Sequence, residues 1–526
     1  MIIETKTSKE VIAEMASLKY LGFKLILLEL KGFSFFGDIK YDFIDDNDNT
    51  EKLYTTVVIG PNGTRKSLLF RLIIDIFNLL EKHKNVINAN LAGLTKGDFH
   101  LKYALNNFFY EVKRVHNEKT NKPEFFYFRN NEPYEIKDFD FPYTITGSST
   151  SISDKYPFYK TKEFSRFQYL GVKNSPQSAS TRSYIRKTID FIAKTSFHGS
   201  FLNCLNLISK TFLGEDKQFC ISYRTANTKL FFDGNLHVEV LDKHFNEIET
   251  RFKELQRQPP FKLTNYKTAK SNNLIFDAIN LSKELVNKNH LQYIYNSSAK
   301  RIFYNISDVN DFERLKKENE ALNTLYSIGL LVNPQIEIIY KNGEKYSLED
   351  SSSGEMNLIT SLIGMIASFK QNSLLFIDEP EISLHPNWQM RYISLIKELF
   401  SNEIFNSSHI VIATHSHFLV SDLEGKSSKI IGLTNNNGLK TVEFGDKLNT
   451  FGWSAEDVLY RVFGVKSSRN FYFEMAIADL LDLLYRKSKD INKISAILND
   501  LKNLDISEND PLNELIKETD NYLHIC

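Results

Sequence analysis

The stretch TTVVIGPNGTRKS, residues 55–67, decides the fold class of this chain. Residues 55–59 are β-branched and apolar, as in a strand that is buried on both faces. Residues 60–67 form a glycine-containing loop, and the apolar periodicity of a helix (LLFRLIIDIFNLLEKH) follows directly. Strand, glycine-rich loop and helix in this order are the context that a phosphate-binding loop requires. The sequence therefore predicts an α/β fold with an anion site behind this strand.

The loop contains the residue types that hold a polyphosphate. Glycines allow backbone N–H groups to surround a phosphate, and the following helix points its positive end at the same charge. We expect Lys66 to reach the β- and γ-phosphates and the Ser67 hydroxyl to bind Mg²⁺. The predicted nucleotide contacts in the loop are Gly60, Pro61, Asn62, Gly63, Thr64, Arg65, Lys66 and Ser67. Arg65 replaces the glycine of the pattern G-x-x-x-x-G-K-[ST], so its side chain is expected to strain the turn or weaken phosphate contact. Taken alone, the loop is also compatible with a plain turn.

A second apolar strand, LLFIDEP at residues 374–380, ends in two carboxylates. Asp378 at the strand end suits Mg²⁺ coordination, directly or through water. Glu379 would then polarise the attacking water as a general base. The alternative is a strand followed by an ordinary acidic turn.

Two further motifs lie at the ends of predicted elements. SSGE, residues 352–355, begins an apolar helix, where serine hydroxyls and the helix N-terminus form an anion site. A capping box between Ser352 and Glu355 is the structural alternative, and it uses the same geometry. IVIATHS, residues 410–416, is a strand that places His415 at its end, where it can hydrogen-bond a γ-phosphate. A histidine that merely follows a strand is the alternative.

Together, these four motifs resemble those of ABC-type ATPases found in chromosome-maintenance (SMC-like), recombination-repair and OLD-like proteins. GPNGTRKS resembles the Walker A loop, SSGE the signature motif, LLFIDEPEISLHP the Walker B motif and D-loop, and ATHS the switch histidine. The resemblance implies ATP and Mg²⁺ as ligands, with Glu379 and His415 as catalytic residues and with Ser67 and Asp378 at the metal. It also implies a homodimer in which the signature residues of one copy complete the ATP site of the other. Those residues are Ser352, Ser353, Gly354 and Glu355. A Mg²⁺-contacting glutamine is expected too, and either Gln168 or Gln177 can fill that role.

The predicted fold is an ABC-ATPase head, a mixed β-sheet core with helices, that carries an inserted helical lobe and a C-terminal helical tail. The expected parts are an N-terminal arm (1–20), a first half of the head (21–180), the lobe (181–334), a second half of the head (335–455) and a helical docking region (456–526).

Two segments near the C-terminus, GWSAEDVLYRVFGV (452–465) and RNFYFEMAIADLLDLLYRKS, resemble ATPases that are paired with HNH nucleases. Those ATPases belong to Septu-type anti-phage systems, including versions attached to retrons. The resemblance implies an HNH-type nuclease partner and, in a retron, a reverse transcriptase with its RNA and DNA. The helices over 471–523 are the expected docking surface. No nuclease centre of its own is expected in this chain.

Composition limits the other functional classes. Lys plus Arg equals Asp plus Glu, at 65 each, which excludes a uniformly basic surface for nucleic acid. No apolar run is long enough to span a bilayer, and the three cysteines and the lack of a signal peptide fit the cytoplasm. The basic stretch 251–270, with Phe261 and Tyr266, either contacts DNA or is a solvated helix and loop. A DNA-repair ATPase and a non-hydrolysing nucleotide-gated scaffold remain alternative functions.

Overall fold

The computed structural model describes most of the chain, in twelve segments. These are residues 22–45, 52–85, 97–158, 166–226, 236–287, 291–293, 300–340, 343–442, 450, 452–463, 471–504 and 512–525, without the single positions 118, 121, 176, 196, 197, 215, 216, 402, 422, 424, 426, 436, 437, 487 and 489. The predicted arm at 1–20 and Cys526 lie outside the described residues.

A seven-stranded sheet forms the centre of the head. Its strands are β3 (Tyr54–Ile59), β8 (Ile145–Ser149), β9 (Phe167–Gly171), β17 (Leu374–Asp378), β18 (His409–Thr414), β19 (Ser428–Thr434) and β20 (Lys440–Val442). They are arranged in the order β20-β19-β3-β18-β17-β8-β9, and all neighbours run parallel except β19 and β20. β3, β17 and β18 are buried throughout, as their apolar sequences predict. The predicted α/β class with a mixed sheet is confirmed.

The register of this sheet aligns the ends of three strands. Asp378 pairs with Ala413, and Thr414 pairs with Ile59. The residues that follow these strands therefore emerge at one edge of the sheet, although they come from distant parts of the chain. This edge is where ligands of parallel α/β sheets bind.

A second, antiparallel sheet of six strands packs with the central sheet. It comprises β1 (Phe23–Phe33), β2 (Gly37–Asp42), β4 (Asp98–Leu105), β5 (Phe108–Asn117), β6 (Lys122–Arg129) and β7 (Glu132–Pro133), in the order β2-β1-β4-β5-β6-β7. Helix α1 (Lys66–Asn85) contributes Phe70, Ile73 and Phe77 to the core between the two sheets. This packing holds the N-terminal end of α1 at the sheet edge.

The insertion between the two halves of the head contains helices, as predicted. They are α2 (Thr181–Lys194), α3 (His198–Ile208), α4 (Val238–Glu254), α5 (Phe261–Ser271), α6 (Leu274–Asn287) and α7 (Val309–Ser327), with a π-helical turn at Ser209–Leu213. The structure adds a five-stranded antiparallel sheet that was not predicted. Its strands are β12 (Gln218–Thr225), β13 (Leu291–Tyr293), β14 (Lys300–Asn305), β15 (Leu331–Ile339) and β16 (Lys345–Ser347), in the order β13-β14-β12-β15-β16. The insertion is therefore a mixed α/β lobe.

The remaining elements of the head are short or lie against the central sheet. They are the two-stranded ribbon of β10 (Lys173–Ser175) and β11 (Ser178–Ala179), the 3₁₀ turns Ile136–Asp138 and Leu348–Asp350, and helices α8 (Ser353–Ser368), α9 (Pro386–Leu399), α10 (Glu403–Asn406) and α11 (His417–Val420). Helix α8 is buried along most of its length, from Leu358 to Ser368.

Residues Ser454–Cys526 form a separate compact unit. Its helices are α12 (Ala455–Arg461), α13 (Phe471–Tyr485), α14 (Ile491–Lys502) and α15 (Leu512–Ile525), and α13–α15 share a small core around Leu480, Ile494 and Leu501. Across the described part of the chain, no helix combines the length and the apolar character needed to cross a membrane.

Candidate nucleotide-binding site

The loop at residues 60–67 bends sharply between β3 and α1. Gly63 has a φ of +84°, and a Cβ added to Gly60 would lie 2.7 Å from the carbonyl oxygen of Leu433. Arg65 has a φ of +63°, in the left-handed region that favours glycine. Arg65 therefore replaces the second glycine of the pattern G-x-x-x-x-G-K-[ST] at a position where the backbone conformation favours glycine. The arginine there costs on the order of 1 kcal/mol of backbone strain.

Lys66 is the first residue of α1, and its ammonium group is folded back onto the loop. The Nζ atom donates to the carbonyl oxygen of Gly60 at 2.8 Å and contacts His415 Nε2 at 2.8 Å. Lys66 is 4% exposed, and burial lowers the pKa of its ammonium group to about 8. In the described residues, no carboxylate lies within ion-pair distance of Lys66, so this buried cation lacks a direct counter-ion.

Ser67 and Asp378 meet across the sheet edge. The Ser67 hydroxyl donates to Asp378 Oδ1 at 2.9 Å. Asp378 is 2% exposed, and burial raises the pKa of its carboxyl group to about 7, with Glu379, Asp154 and Glu381 adding in the same direction. A cation at this carboxylate would stabilise its ionised form, which the protein alone disfavours.

Glu379 and His415 lie next to this pair. Glu379 has a φ of +49°, and its N–H donates to the carbonyl oxygen of Ala413 at 2.9 Å. Its Oε1 atom is 3.6 Å from His415 Nε2. Burial and, to a smaller extent, the nearby charge of Lys66 lower the pKa of His415 to about 4, so the ring is neutral at physiological pH. A neutral imidazole accepts the hydrogen bond from the Lys66 ammonium group.

Glu381 was missed by the sequence analysis. Its Oε1 atom accepts a hydrogen bond from the backbone N–H of His415 at 2.6 Å. Burial raises the pKa of Glu381, which is consistent with its place beside two other carboxylates. The signal in the sequence was the third acidic residue of DEPEISLHP. Its role is to hold the strand end that carries His415.

The predicted signature residues lie at the N-terminus of α8. Ser352 is the cap residue: its hydroxyl accepts from the Glu355 N–H at 3.3 Å, and its own N–H donates to Glu355 Oε2 at 3.4 Å. The capping box is therefore present, while Ser352 and Ser353 are exposed to solvent. A Cβ on Gly354 would lie 2.3 Å from the carbonyl oxygen of Ser383, so only glycine allows α8 to begin this close to the segment after β17. Among the residues described, no hydrogen bond or ion pair joins this motif to the loop at 60–67.

Neither candidate for the metal-contacting glutamine lies at the sheet edge. Gln168 is the second residue of β9 and pairs with Thr146, three positions before the strand end at Ser149. Gln177 is exposed in the turn between β10 and β11. On the β8 side of Asp378 the residue in register is Ser149, whose hydroxyl donates to the Asp378 carbonyl at 3.3 Å. A serine of β8 thus occupies the position next to the carboxylate.

The loop after β8 is anchored by Asp154, another residue that the sequence analysis did not single out. Asp154 is 3% exposed and accepts hydrogen bonds from the Tyr169 hydroxyl at 2.8 Å and the Tyr156 N–H at 3.1 Å. Its charge contributes to the raised pKa of Asp378. Asp154 therefore links β9 to the electrostatics of the sheet edge.

This arrangement fits a magnesium polyphosphate. A buried ammonium group without a carboxylate partner favours an anion, while the raised pKa of Asp378 reflects a carboxylate that favours a cation. The two groups are linked through consecutive residues of α1: Lys66 carries the ammonium group, and Ser67 is hydrogen-bonded to the carboxylate of Asp378. The N-terminus of α1 carries no acidic residue in its first turn, so its positive end is open to anions.

The chain is similar to proteins of two anti-phage systems and to one family model. Residues 228–421 match the family model described as "AAA domain, putative AbiEii toxin, Type IV TA system". The Septu protein PtuA of Bacillus thuringiensis is 28% identical over 239 residues, which cover 40% of this chain and 56% of PtuA. The retron Vc95 probable ATPase of Vibrio cholerae serotype O1 biovar El Tor is 22% identical over 424 residues, which cover 77% of this chain and 73% of that protein. The predicted resemblance to ATPases of Septu and retron systems is confirmed.

Similar solved structures include the SMC head domain of Thermotoga maritima, at 16% identity and a TM-score of 0.34, covering 80% of this chain and all of that one. The recombination mediator RecF with ATP is 15% identical with a TM-score of 0.29, and the match covers 80% of this chain and 100% of RecF. The chain spans 56% of the length of PtuA.

Three of the six basic residues in the stretch 251–270 form ion pairs with neighbouring carboxylates. Lys253 and Lys267 both pair with Glu249, and Lys270 pairs with Asp242. Tyr266 is 3% exposed and stacks on Phe245 with the ring centroids 4.2 Å apart, so its face is not accessible to a base. Phe261, by contrast, is 88% exposed. Of the two aromatic residues proposed from the sequence to stack on nucleic-acid bases, only Phe261 is therefore accessible.

Proposed function

We propose that this chain binds ATP with Mg²⁺ and hydrolyses it, and that the ATP cycle regulates a nuclease partner in anti-phage defence. The observation that carries the proposal is the convergence of Lys66, the Ser67–Asp378 pair, Glu379 and His415 at one sheet edge. Each of these side chains comes from a different motif or motif position. A plain turn between a strand and a helix would not require two carboxylates and a histidine from distant parts of the chain to lie beside it.

The chemistry follows from the residue types. Lys66 and the N-terminus of α1 hold the phosphates, and the Lys66 ammonium leaves the Gly60 carbonyl and His415 to do so. Ser67 and Asp378 would hold Mg²⁺, and a divalent ion there would supply charge neutralisation for the transferred phosphoryl group. Glu379 orients and deprotonates the attacking water. His415, neutral before the nucleotide arrives, donates a hydrogen bond to the terminal phosphate.

We further propose that two copies form the complete site. Ser352 and Ser353 are exposed at a helix N-terminus, where a serine hydroxyl and backbone N–H groups suit an anion. The capping box keeps this helix end ordered before the partner copy arrives. ATP between the two surfaces would then act as the clamp of a homodimer.

Defence rather than DNA repair is favoured by the two relatives, which are a Septu protein and a retron ATPase. We propose that the partner is an HNH-type nuclease that docks on the helices of Ser454–Cys526, accompanied in a retron by a reverse transcriptase with its RNA and DNA. Cleavage of nucleic acid is assigned to that partner.

The test is reconstitution with the proposed HNH-type nuclease partner. The purified chain alone should release phosphate from ATP and leave plasmid and single-stranded DNA intact in Mg²⁺ or Mn²⁺. The two proteins together should copurify, and removal of residues 471–525 should abolish copurification without lowering ATP binding. DNA cleavage by the lone chain that survives loss of Asp378 and Glu379 would contradict the assignment of the nuclease to the partner.

A further inference from the structure

The segment that carries His415 is tied to helix α9 by a side chain outside the candidate ATP site. The Ser416 hydroxyl donates to Gln389 Oε1 at 2.6 Å, and Gln389 Nε2 donates to the Leu384 carbonyl at 2.9 Å. We propose that Gln389 is a positioning residue, which holds the segment after β18 and passes its movement through α9 to the inserted lobe. This coupling rests on the proposed function, because ATP at Lys66 and His415 supplies the movement.

The bond between Ser416 and Gln389 is specific to these two side chains. Ser416 is 8% exposed and directly precedes α11. Within the described part of the chain, its side chain forms no capping bond to that helix, so the hydroxyl is committed to α9 instead. Gln389 uses both ends of its amide, as an acceptor for Ser416 and as a donor to Leu384. Neither a carboxylate nor an alkyl group at residue 389 would reproduce both bonds.

The segment after β18 is held at a second point, inside the candidate site. The N–H of His415 donates to Glu381 Oε1 at 2.6 Å. Glu381 and Gln389 both belong to the stretch that leads from β17 into α9, so one piece of chain holds two consecutive residues at the end of β18. When His415 exchanges its contact with the Lys66 ammonium group for a phosphate oxygen, its movement acts on both of these bonds. Hydrogen bonds weaken steeply as their angle is distorted, so α9 has to follow or the bonds have to break.

The first turn of α9 reaches the lobe through an aromatic pair. Trp388, the residue before Gln389, packs against Phe212 with the ring centroids 4.4 Å apart and the ring planes at 34°. Phe212 belongs to the π-helical turn Ser209–Leu213, which follows α3 and ends at Gly214 with a φ of +80°. π-helical turns occur frequently at functional sites. The residue beside Gln389 therefore contacts an irregular turn of the lobe.

Helix α3 connects this turn to the rest of the lobe. It lies along α9, where the Cys204 thiol donates to the Leu399 carbonyl at 3.2 Å. It also packs on α7 through Phe201 and Phe312, whose ring centroids are 5.6 Å apart. The contacts between α9 and this part of the lobe thus lie near both ends of α9. A displacement of the first turn of α9 would therefore displace the π-helical turn and α3, because tightly packed helices move together.

The test uses the full chain carrying Trp453→Phe, in which Trp388 is the single tryptophan. Its fluorescence is recorded during titration with AMPPNP·Mg²⁺, an ATP analogue that resists hydrolysis, and equilibrium dialysis measures binding of the same nucleotide. We expect the emission of Trp388 to change in proportion to the occupancy of the site. ADP·Mg²⁺ lacks the terminal phosphate that His415 contacts, so at saturation it should give less than about half of this change.

Removing the hydroxyl of Ser416 should uncouple the two parts. In the single-tryptophan chain, Ser416→Ala should bind the analogue within about tenfold of the parent affinity and lose more than about half of the emission change. Ser421→Ala is the matched control, because that hydroxyl donates to the Phe418 carbonyl at the end of α11, and it should keep the full change. Gln389→Glu accepts from Ser416 but cannot donate to the Leu384 carbonyl. It is the second variant, in case Ser416→Ala alters folding, and it should also reduce the change.

Hydrogen exchange tests the step into the lobe. Bound AMPPNP should change amide exchange in Ser209–Leu213 and in α3 of the parent, and this change should be absent in Ser416→Ala. A lack of nucleotide binding in dialysis would overturn the proposed ATP site and the coupling together. Binding without a change in Trp388 emission, an equal change with ADP, or an equal change in Ser416→Ala would overturn the coupling alone. A changed emission with unchanged exchange in Ser209–Leu213 would overturn the transmission to the lobe.

Discussion

The ammonium group of Lys66 lies 2.8 Å from His415 Nε2, so a hydrogen bond at the sheet edge joins two residues that are 349 positions apart in the sequence. The same ammonium group donates to the Gly60 carbonyl at 2.8 Å. Both interactions occupy the position from which a lysine of this loop reaches phosphate. Binding of the nucleotide would therefore exchange these two contacts for phosphate oxygens, and His415 would be released at the same moment.

Replacing Lys66 with alanine should abolish ATP binding while the fold persists. ATP·Mg²⁺ at 100 times its dissociation constant should stabilise the wild type by about 2.7 kcal/mol. Thermal unfolding with and without the nucleotide measures this. Lys82→Ala, in the exposed last turn of the same helix, is the control and should keep the full ligand-induced shift. An equal shift in the Lys66 variant would remove Lys66 from the site.

Glu379→Gln should stop hydrolysis and spare ATP binding, because the amide cannot accept the proton of the attacking water. The variant should then accumulate an ATP-bound dimer, which light scattering detects as a nucleotide-dependent doubling of mass. Glu398→Gln, at an exposed position of α9, should hydrolyse ATP like the wild type. If the Glu379 variant turns over ATP at the wild-type rate, another residue is the general base.

The conformation of Arg65 predicts an unusual order of variant stabilities. Arg65→Val should lose about 1–3 kcal/mol of unfolding free energy, because a β-branched residue is strained at a φ of +63°. Arg65→Gly should change stability by less than about 1 kcal/mol, since relief of strain is offset by the entropy that glycine gains on unfolding. Urea unfolding without nucleotide gives both values. A valine variant as stable as the glycine variant would show that the loop relaxes out of this conformation.

Gly354→Ala tests the close approach of α8 to the segment after β17. The added methyl group would lie 2.3 Å from the Ser383 carbonyl, so the helix start must shift. We expect a loss of about 1–3 kcal/mol in urea unfolding and a weaker ATP-dependent dimer. Gly199→Ala is the matched control, because nothing lies within 4 Å of a Cβ there, and it should be neutral or slightly stabilising. Equal effects of the two substitutions would argue against a special role for Gly354.

Asp378 should make stability without nucleotide depend on pH. Burial raises the pKa of this carboxyl group to about 7 in the folded protein, so its contribution is most favourable at low pH and is lost as the pH rises toward and past 7. Lys66, whose pKa is lowered to about 8, makes the free energy of unfolding change with pH in the opposite direction. The contribution of Asp378 is therefore measured by comparing the wild type with a variant that changes Asp378 alone.

Asp378→Asn should therefore be more stable than the wild type at pH 8 by on the order of 1–3 kcal/mol, with the difference shrinking toward pH 5. Urea unfolding at pH 5, 6, 7 and 8, without ATP or Mg²⁺, provides the measurement. The exposed Asp277→Asn should show no such trend. A gain that is the same at all four pH values would mean that the buried charge of Asp378 is not its origin.

Local sequence was enough to predict the strands and helices that carry the four motifs. Residues 55–59 were predicted as a buried strand and LLFIDEP, 374–380, as an apolar strand that ends in two carboxylates. The helix after the loop was predicted from its periodicity. These predictions succeed because each depends on neighbours a few residues away. The five-stranded sheet of the lobe was missed for the opposite reason. β13, β14 and β16 are only three to six residues long, and the sheet is held together by β12, which pairs with β14 and β15 about 80 to 120 residues further along the chain.

The sequence by itself determined which groups are available for chemistry: a phosphate loop, two carboxylates at a strand end, a histidine at another strand end and a capped helix. Only the tertiary structure decided which of them meet. Ser67 and Asp378 are 311 residues apart, and Lys66 and His415 are 349 apart, yet strand order and register bring both pairs within hydrogen-bonding distance. The same register excludes Gln168 from the edge and places Ser149 there. Residue spacing along a chain contains no such information, because parallel strands pair across crossover connections of very different lengths, and the alignment is set by the packing of the whole sheet.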